Sequence, residues 1–212
     1  MQKGHQCGML WGASLAVGAE AYRTCKNQNE AIRVAINATQ SIMESFTNKE
    51  RTIKCREITH CNFSNKLSMA KYFFSGKFLH CFNLAQEWAP EAVKSAINGL
   101  SKKENTSSTE CLSCALEVAK KMGASDEEMI MVSGFVGGLG LSGEGCGALS
   151  AAIWLKSLNW CREEVKKSPI KNPDSKIQCS DITGQHFKNT NDYTKFIKNG
   201  GCGNLMNILA ES

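Results

Sequence analysis

Three cysteine-led blocks occur twice along the chain in the same order, and this repetition constrains the fold more than any other property of the sequence. Cys7 and Cys146 each open C-G-x-L-x-G/A-A. Cys55 and Cys179 each open C-x-D/E-I-T, with Phe63 and Phe187 eight residues further on. Cys81 and Cys202 each open C-x-N-L. Blocks that recur in order point to an internal duplication, whose copies should fold alike. The half-to-half offset is 139 residues at Cys7/Cys146 and 121 at Cys81/Cys202, so the first copy carries the extra residues, mainly between Cys25 and Cys55.

The spacing within each half is helical. Small residues Gly12, Ala13, Ala16, Ala19 and Ala21 after Cys7 predict a closely packed helix, and a matching one runs from Cys146 to about Leu158. Residues 29–46 carry an apolar face through Ile32, Ala35, Ile36, Ile42, Met43 and Phe46. Residues 82–98 predict another helix, interrupted or restarted at Pro90. Ser108 or Thr109 is placed to cap a helix through Cys111 and Met122, and Ser125 one that opens on Asp126, Glu127 and Glu128. Met129–Val132 is the one run that could be a strand, and Lys166–Ser175, with Pro169 and Pro173, reads as a loop. The expected class is all-α: two related helical units, residues 1–98 and 111–212, joined by a polar linker over 99–110.

A chain of 212 residues buries a core without cross-links, so its eleven cysteines are not staples for a small domain. An odd count also pairs poorly outside the cell, which favours a reducing cytoplasm. Residues 7–19, with Lys3 before them and Ala19-Glu20-Ala21 at their end, have the form of a signal-peptide core, but they repeat the internal segment at Cys146, which no leader does. No apolar run reaches membrane-span length. A net charge of +5 with scattered lysines gives no nucleic-acid face.

The thiols are therefore the candidate chemistry. Cys146 and Cys7 sit where a loop meets a helix start, where free amides and the helix dipole favour a thiolate able to bind metal or attack a disulfide. Gly147 and Gly8 beside them leave room for a cofactor to approach. Gly138-Leu139-Gly140-Leu141-Ser142-Gly143 satisfies G-x-G-x-x-G, but the Trp160–Lys167 stretch after the next helix is no second strand, which argues against a dinucleotide site. Cys111 and Cys114 form a CxxC with no second CxxC to complete a zinc site. Cys25, Cys61 and Cys161 lack counterparts and read as packing cysteines. His60 and His80, next to Cys61 and Cys81, have no equivalents in the second half. No nucleophile–base order recurs, so hydrolase chemistry has no support.

The stretch from Cys111 to Cys202 resembles the redox-active protein family named for its cysteine pattern, C_GCAxxG_C_C. The resemblance rests on Cys111, the glycine-rich run Gly134–Gly140, Cys146-Gly147-Ala148, Cys179 and Cys202, with Ala151 replacing the motif's last glycine. Residues 4–98 are similar to the same family from the motif onward, keeping Cys7, Gly8, Gly12, Cys55 and Cys81, with Met9 in place of alanine. The resemblance implies an all-helical redox domain that binds an iron–sulfur cluster. Its ligands would be Cys111, Cys146, Cys179 and Cys202, with Cys114 the alternate for the first place. Cys7, Cys55 and Cys81 form an incomplete second set, since that half begins too late to hold the first helix and its cysteine; either the half is a cofactor-free packing partner, or Cys61, Cys25 or Cys114 completes a second site.

The expectation is thus a cytoplasmic, tandem-repeat electron-transfer protein with one four-cysteine cluster, 2Fe–2S before other types, held at Cys111, Cys146, Cys179 and Cys202 beside Gly147. Its partner would be another redox protein, and homodimerisation is compatible with the pattern. The alternatives are a metal-free thiol–disulfide oxidoreductase on the same cysteines and a structural four-cysteine zinc module.

Overall fold

A computed structural model describes residues 5–102, 113–163 and 178–211. Within them the chain is all-α. The first half forms α1 (Gly8–Thr24), α2 (Gln28–Glu50), α3 (Cys55–Thr59), α4 (Lys66–Phe74) and α5 (Phe78–Ser101). The second forms α6 (Cys114–Lys121), α7 (Asp126–Met131), a 3-10 turn (Val132–Phe135), α8 (Gly147–Glu163), α9 (Cys179–Thr183), α10 (Thr190–Lys198) and α11 (Gly203–Glu211). The only extended pairing among the described residues is two isolated antiparallel bridges, Gln6 with Lys54 and Gly145 with Gln178.

α2 is the hub. Asn27 caps it by accepting from the Glu30 amide at 2.9 Å, and its apolar stripe from Ala31 to Phe46 is buried. One side of α2 packs on α1 and another on α5. At the α5 contact Trp88 meets Phe46 edge-on, with ring centres 4.8 Å apart, and its indole N–H donates to Ser45 Oγ at 3.1 Å. Further along, the helices run so close that a Cβ on Gly99 would lie 2.4 Å from the Ala38 Cα. Pro90 does not break α5. It lies on the exposed face, where water can satisfy the carbonyl that loses its amide partner. Since α5 runs to Ser101, the linker expected from Gly99 begins later, and residues 103–110 lie outside the described residues.

The two halves share one core. α7 and the 3-10 turn pack against both α1 and α2, and Met129–Val132, the candidate strand, is instead helical. Ser125 forms a full capping box with Glu128, which sets the start of α7 and commits the segment to helix. Close approach is then a matter of small residues: a Cβ on Gly18 would lie 2.6 Å from the Met131 Cα. One on Gly134 would meet Ser14 Oγ and Thr39 Oγ1, each at 2.3 Å. Those two hydroxyls are buried and hydrogen-bonded to each other at 3.0 Å.

Beyond the 3-10 turn the backbone changes hand. Gly137, Gly138, Leu139, Gly140 and Leu141 all have left-handed φ, between 56° and 84°. Gly140 N–H to Gly134 C=O at 2.8 Å and Leu141 N–H to Val136 C=O at 3.0 Å close the coil. Left-handed backbone costs a non-glycine residue roughly 1–2 kcal/mol, and burial of Leu139 and Leu141 offsets it here. The G-x-G-x-x-G glycines are packing positions. A Cβ would meet the Glu144 amide at Gly138, the Gln40 amide at Gly140 and the His186 ring at Gly143.

The short helices α3, α4, α9 and α10 were not expected from periodicity, being too short to show it. The Ser108/Thr109 cap and the Lys166–Ser175 loop lie outside the described residues. α6 is instead capped by Ser113, whose hydroxyl accepts from Leu116 N.

Candidate functional site: two groups of thiols

The bridge between Gly145 and Gln178 brings the start of α8 beside the start of α9. Cys146 and Cys179 are the next residues on each strand of the bridge, and the Cys179 amide donates to the Glu144 carbonyl at 2.6 Å. Cys114 is the first residue of α6, which packs on both α8 and α11. Cys202 lies one residue before α11, in left-handed backbone with φ 61°. The four thiols form one group. Cys202 is the largest influence that raises the Cys114 pKa, and a charge on Cys114 would raise the pKa of both Cys146 and Cys179. Cys114, Cys146 and Cys179 are buried, and Cys202 is half-buried.

Tyr193 of α10 completes the group. It is buried against Phe187, ring centres 4.8 Å apart, and its hydroxyl accepts from the Cys114 backbone N–H at 3.2 Å. The same hydroxyl lies beside the Cys114 thiol and lowers its pKa. The Tyr193 pKa is held well above its ordinary value by burial, then by the neighbouring Cys114 and Cys202.

The first half holds a matching arrangement. The bridge between Gln6 and Lys54 sets Cys7 beside Cys55, with the Cys55 amide donating to the His5 carbonyl. From Cys55 to Gly76 the two halves correspond at a constant offset of 124 residues. α3 matches α9, Phe63 matches Phe187, the cap Asn65 matches Asn189, α4 matches α10, and left-handed Gly76 matches Gly200. Thr59 and Thr183 both donate to the carbonyl four residues back, Cys55 and Cys179. The C-x-N-L blocks do not coincide, since Cys81 lies inside α5 and Cys202 ahead of α11. Tyr72 bonds the Cys81 sulfur at 3.4 Å, although it stands where the second half has Phe196.

Cys61, which the sequence offers either as a packing cysteine or as a member that completes the first set, joins this first group. It is buried, accepts from Ser68 Oγ at 3.7 Å, and is close enough to Cys55 to raise that thiol's pKa. At the offset of 124 residues Cys61 corresponds to Gln185, so the repeat itself gives no signal that groups it with Cys55. Cys25 lies apart, and the only acidic group that raises its pKa is Glu30. In the second half, Cys114 is the member of the CxxC that the structure places in the group. Cys111 lies outside the described residues, as does the Cys161 side chain.

Two expectations are corrected. A helix start was expected to favour thiolates at Cys7 and Cys146. The amides of Met9 and Leu10 do lower the Cys7 pKa, and those of Leu149 and Ala148 that of Cys146. Burial outweighs them: the Cys146 thiol is pushed up to about 12, and Cys7, Cys55 and Cys179 are also raised chiefly by desolvation. The Cys114 pKa is raised first by the neighbouring Cys202 and then by burial. The other correction is Gly147. Its Cβ would sit 2.3 Å from the Phe135 carbonyl, so the glycine admits the 3-10 turn rather than a cofactor. Gly8 has open space around it.

Compared with family models, with curated proteins and with solved structures, the chain matches none. The donor chemistry of each group, four soft sulfurs, is that of an iron–sulfur or zinc site. The spacing is not: among the described residues no group of three or more Cys, His, Asp or Glu side chains is close enough to hold a metal ion. Nor is any described helix long and apolar enough to cross a membrane.

Proposed function

We propose that the chain is a thiol redox protein whose centre is the Cys114–Cys202 pair, cycling between dithiol and disulfide, with Cys146, Cys179 and Tyr193 around it. One observation carries the reading: two thiols 88 residues apart are neighbours, one buried and one half-buried, and Cys202 is the largest influence that raises the Cys114 pKa. The half-buried Cys202 is the entry point. Its sulfur attacks a disulfide in a partner protein, giving a mixed disulfide and releasing one partner thiol. Cys114 then gives up its proton to the departing sulfur and attacks Cys202. The Cys114–Cys202 bond forms, the mixed disulfide breaks, and two electrons have passed to the partner. Tyr193 holds Cys114 through backbone and thiol together. The matched elements of the first half are what an internal duplication leaves, and that half would support the second as a packing partner.

The test is quenched alkylation and peptide mapping of oxidised and reduced protein. The reading expects a Cys114–Cys202 disulfide that forms reversibly with a glutathione redox buffer. A different principal pair, or none, overturns it. A second reading, an iron–sulfur cluster on Cys114, Cys146, Cys179 and Cys202, is favoured by the donor set: four sulfurs from four separate elements in one group. It requires the sulfurs to draw together. Protein purified without oxygen should then show visible absorbance, with iron and sulfide amounting to one cluster per chain.

A further inference from the structure

The corner between α4 and α5 is built unlike its counterpart. α10 buries Tyr193, Thr194 and Ile197 in the core, whereas α4, of equal length, buries Tyr72 alone. Its other large apolar side chains face solvent. Phe74 is 92% exposed, Leu67 81% and Phe73 56%, and the first turns of α5 add Phe82 at 67% and Leu79 at 53%. The rings are contiguous, Phe73 to Phe78 at 6.1 Å and Phe78 to Phe82 at 6.3 Å. At roughly 150–250 Å² per aromatic side chain, the exposed parts of Phe73, Phe74 and Phe82 alone amount to about 400 Å². That is already comparable to the largest apolar patch on an ordinary monomer, roughly 300–600 Å².

Charge selects the occupant. Between Glu57 and Glu87 the sequence has no acidic residue, and Lys66, Lys71 and Lys77 rim the aromatic corner. All three are exposed, and among the described residues none is in an ion pair. A second copy of the chain is a poor fit, because a two-fold contact would set these lysines against their own counterparts. A surface both anionic and fluid fits well. Side chains exposed to 81% and 92% insert into it without a complementary pocket, while the lysines stay at the charged level.

We propose that the α4–α5 corner binds an anionic lipid surface, with Leu67, Phe73, Phe74 and Phe82 entering the headgroup–acyl boundary and Lys66, Lys71 and Lys77 holding the lipid charge. This binding is peripheral, and it stands apart from the thiol chemistry proposed above.

The experiment is flotation of the full chain with vesicles of phosphatidylcholine, alone or mixed with phosphatidylserine. Binding is expected with the mixed vesicles only and should fall as salt rises. Each Lys-to-Gln change at 66, 71 or 77 should lower partitioning about five-fold. Phe74→Asp combined with Leu67→Asp should abolish it while helical circular dichroism stays unchanged, since neither side chain is in the core. Equal binding to neutral vesicles, no binding to either, or binding that survives the double substitution overturns the proposal. So does a concentration-dependent dimer that Phe74→Asp dissociates in a chain that ignores vesicles, which would assign the corner to a second copy.

Discussion

Replacing Tyr193 by Phe removes one oxygen and leaves the packing shape intact. The ring keeps its edge-on contact with Phe187 at 4.8 Å. The hydroxyl that is lost serves Cys114 twice, accepting its amide at 3.2 Å and lowering the pKa of the thiol beside it. Cys114 is the first residue of α6, and Ser113 spends its cap on the Leu116 amide. The Cys114 N–H is therefore left buried without that acceptor, at a cost of roughly 1–3 kcal/mol. With the thiol contact also lost, destabilisation of about 2 kcal/mol is expected. At an m-value of about 2 kcal/mol/M, the urea midpoint should drop by about 1 M with m unchanged. Tyr72→Phe is the internal control: its hydroxyl bonds a half-buried sulfur, and about 0.5–1 kcal/mol is expected. A loss at Tyr193 no larger than at Tyr72, or below about 0.5 kcal/mol, would refute the reasoning, because the amide would then have found another partner.

Stability should also fall in alkali. The Cys146 thiol titrates near 9.0 when unfolded but at about 12 when folded, so between those values the unfolded chain binds fewer protons and is favoured as pH rises. The slope is about 1.4 kcal/mol per pH unit for each such thiol, read by urea titration across that window, and a curve that stays flat above pH 9 would refute it. The two motif glycines should part company. Gly147→Ala drives a Cβ into the Phe135 carbonyl and should cost about 2 kcal/mol or more, whereas Gly8→Ala meets nothing and should stabilise α1 by up to about 1 kcal/mol; thermal melts of the two decide. Ser125→Ala removes a complete capping box and should cost about 1 kcal/mol in the same assay.

The long helices were legible because α1, α2 and α5 each bury a stripe several turns long, and the Ser125 cap because its chemistry is local. What escaped was non-local. The Cys61 thiol joins Cys55 only because a five-residue helix and a left-handed His60 turn the chain back, and neither carries a periodic signal. Tyr72 and Tyr193 stand at different positions of their helices, so no alignment of the two halves could have paired them. The thiolate expectation at Cys146 went wrong on burial, which a sequence does not print: the favourable amides are present, but desolvation exceeds them. The glycines around residue 140 advertised a phosphate loop and instead allow a left-handed coil to fit against α2 and α9.

One contact ties the two thiol groups mechanically. Gln6 and Gln178, each a bridge residue and each the neighbour of a cysteine, are hydrogen-bonded side chain to side chain at 3.2 Å. Trp11 and the Gln6 carboxamide also lie where a Cβ on Gly145 would go. Opening either bridge disturbs this joint, and with it the backbone beside Cys7, Cys55, Cys146 and Cys179. Amide exchange at these four positions should therefore follow a single opening event, and labelling of their thiols should proceed as one cooperative unit instead of half by half.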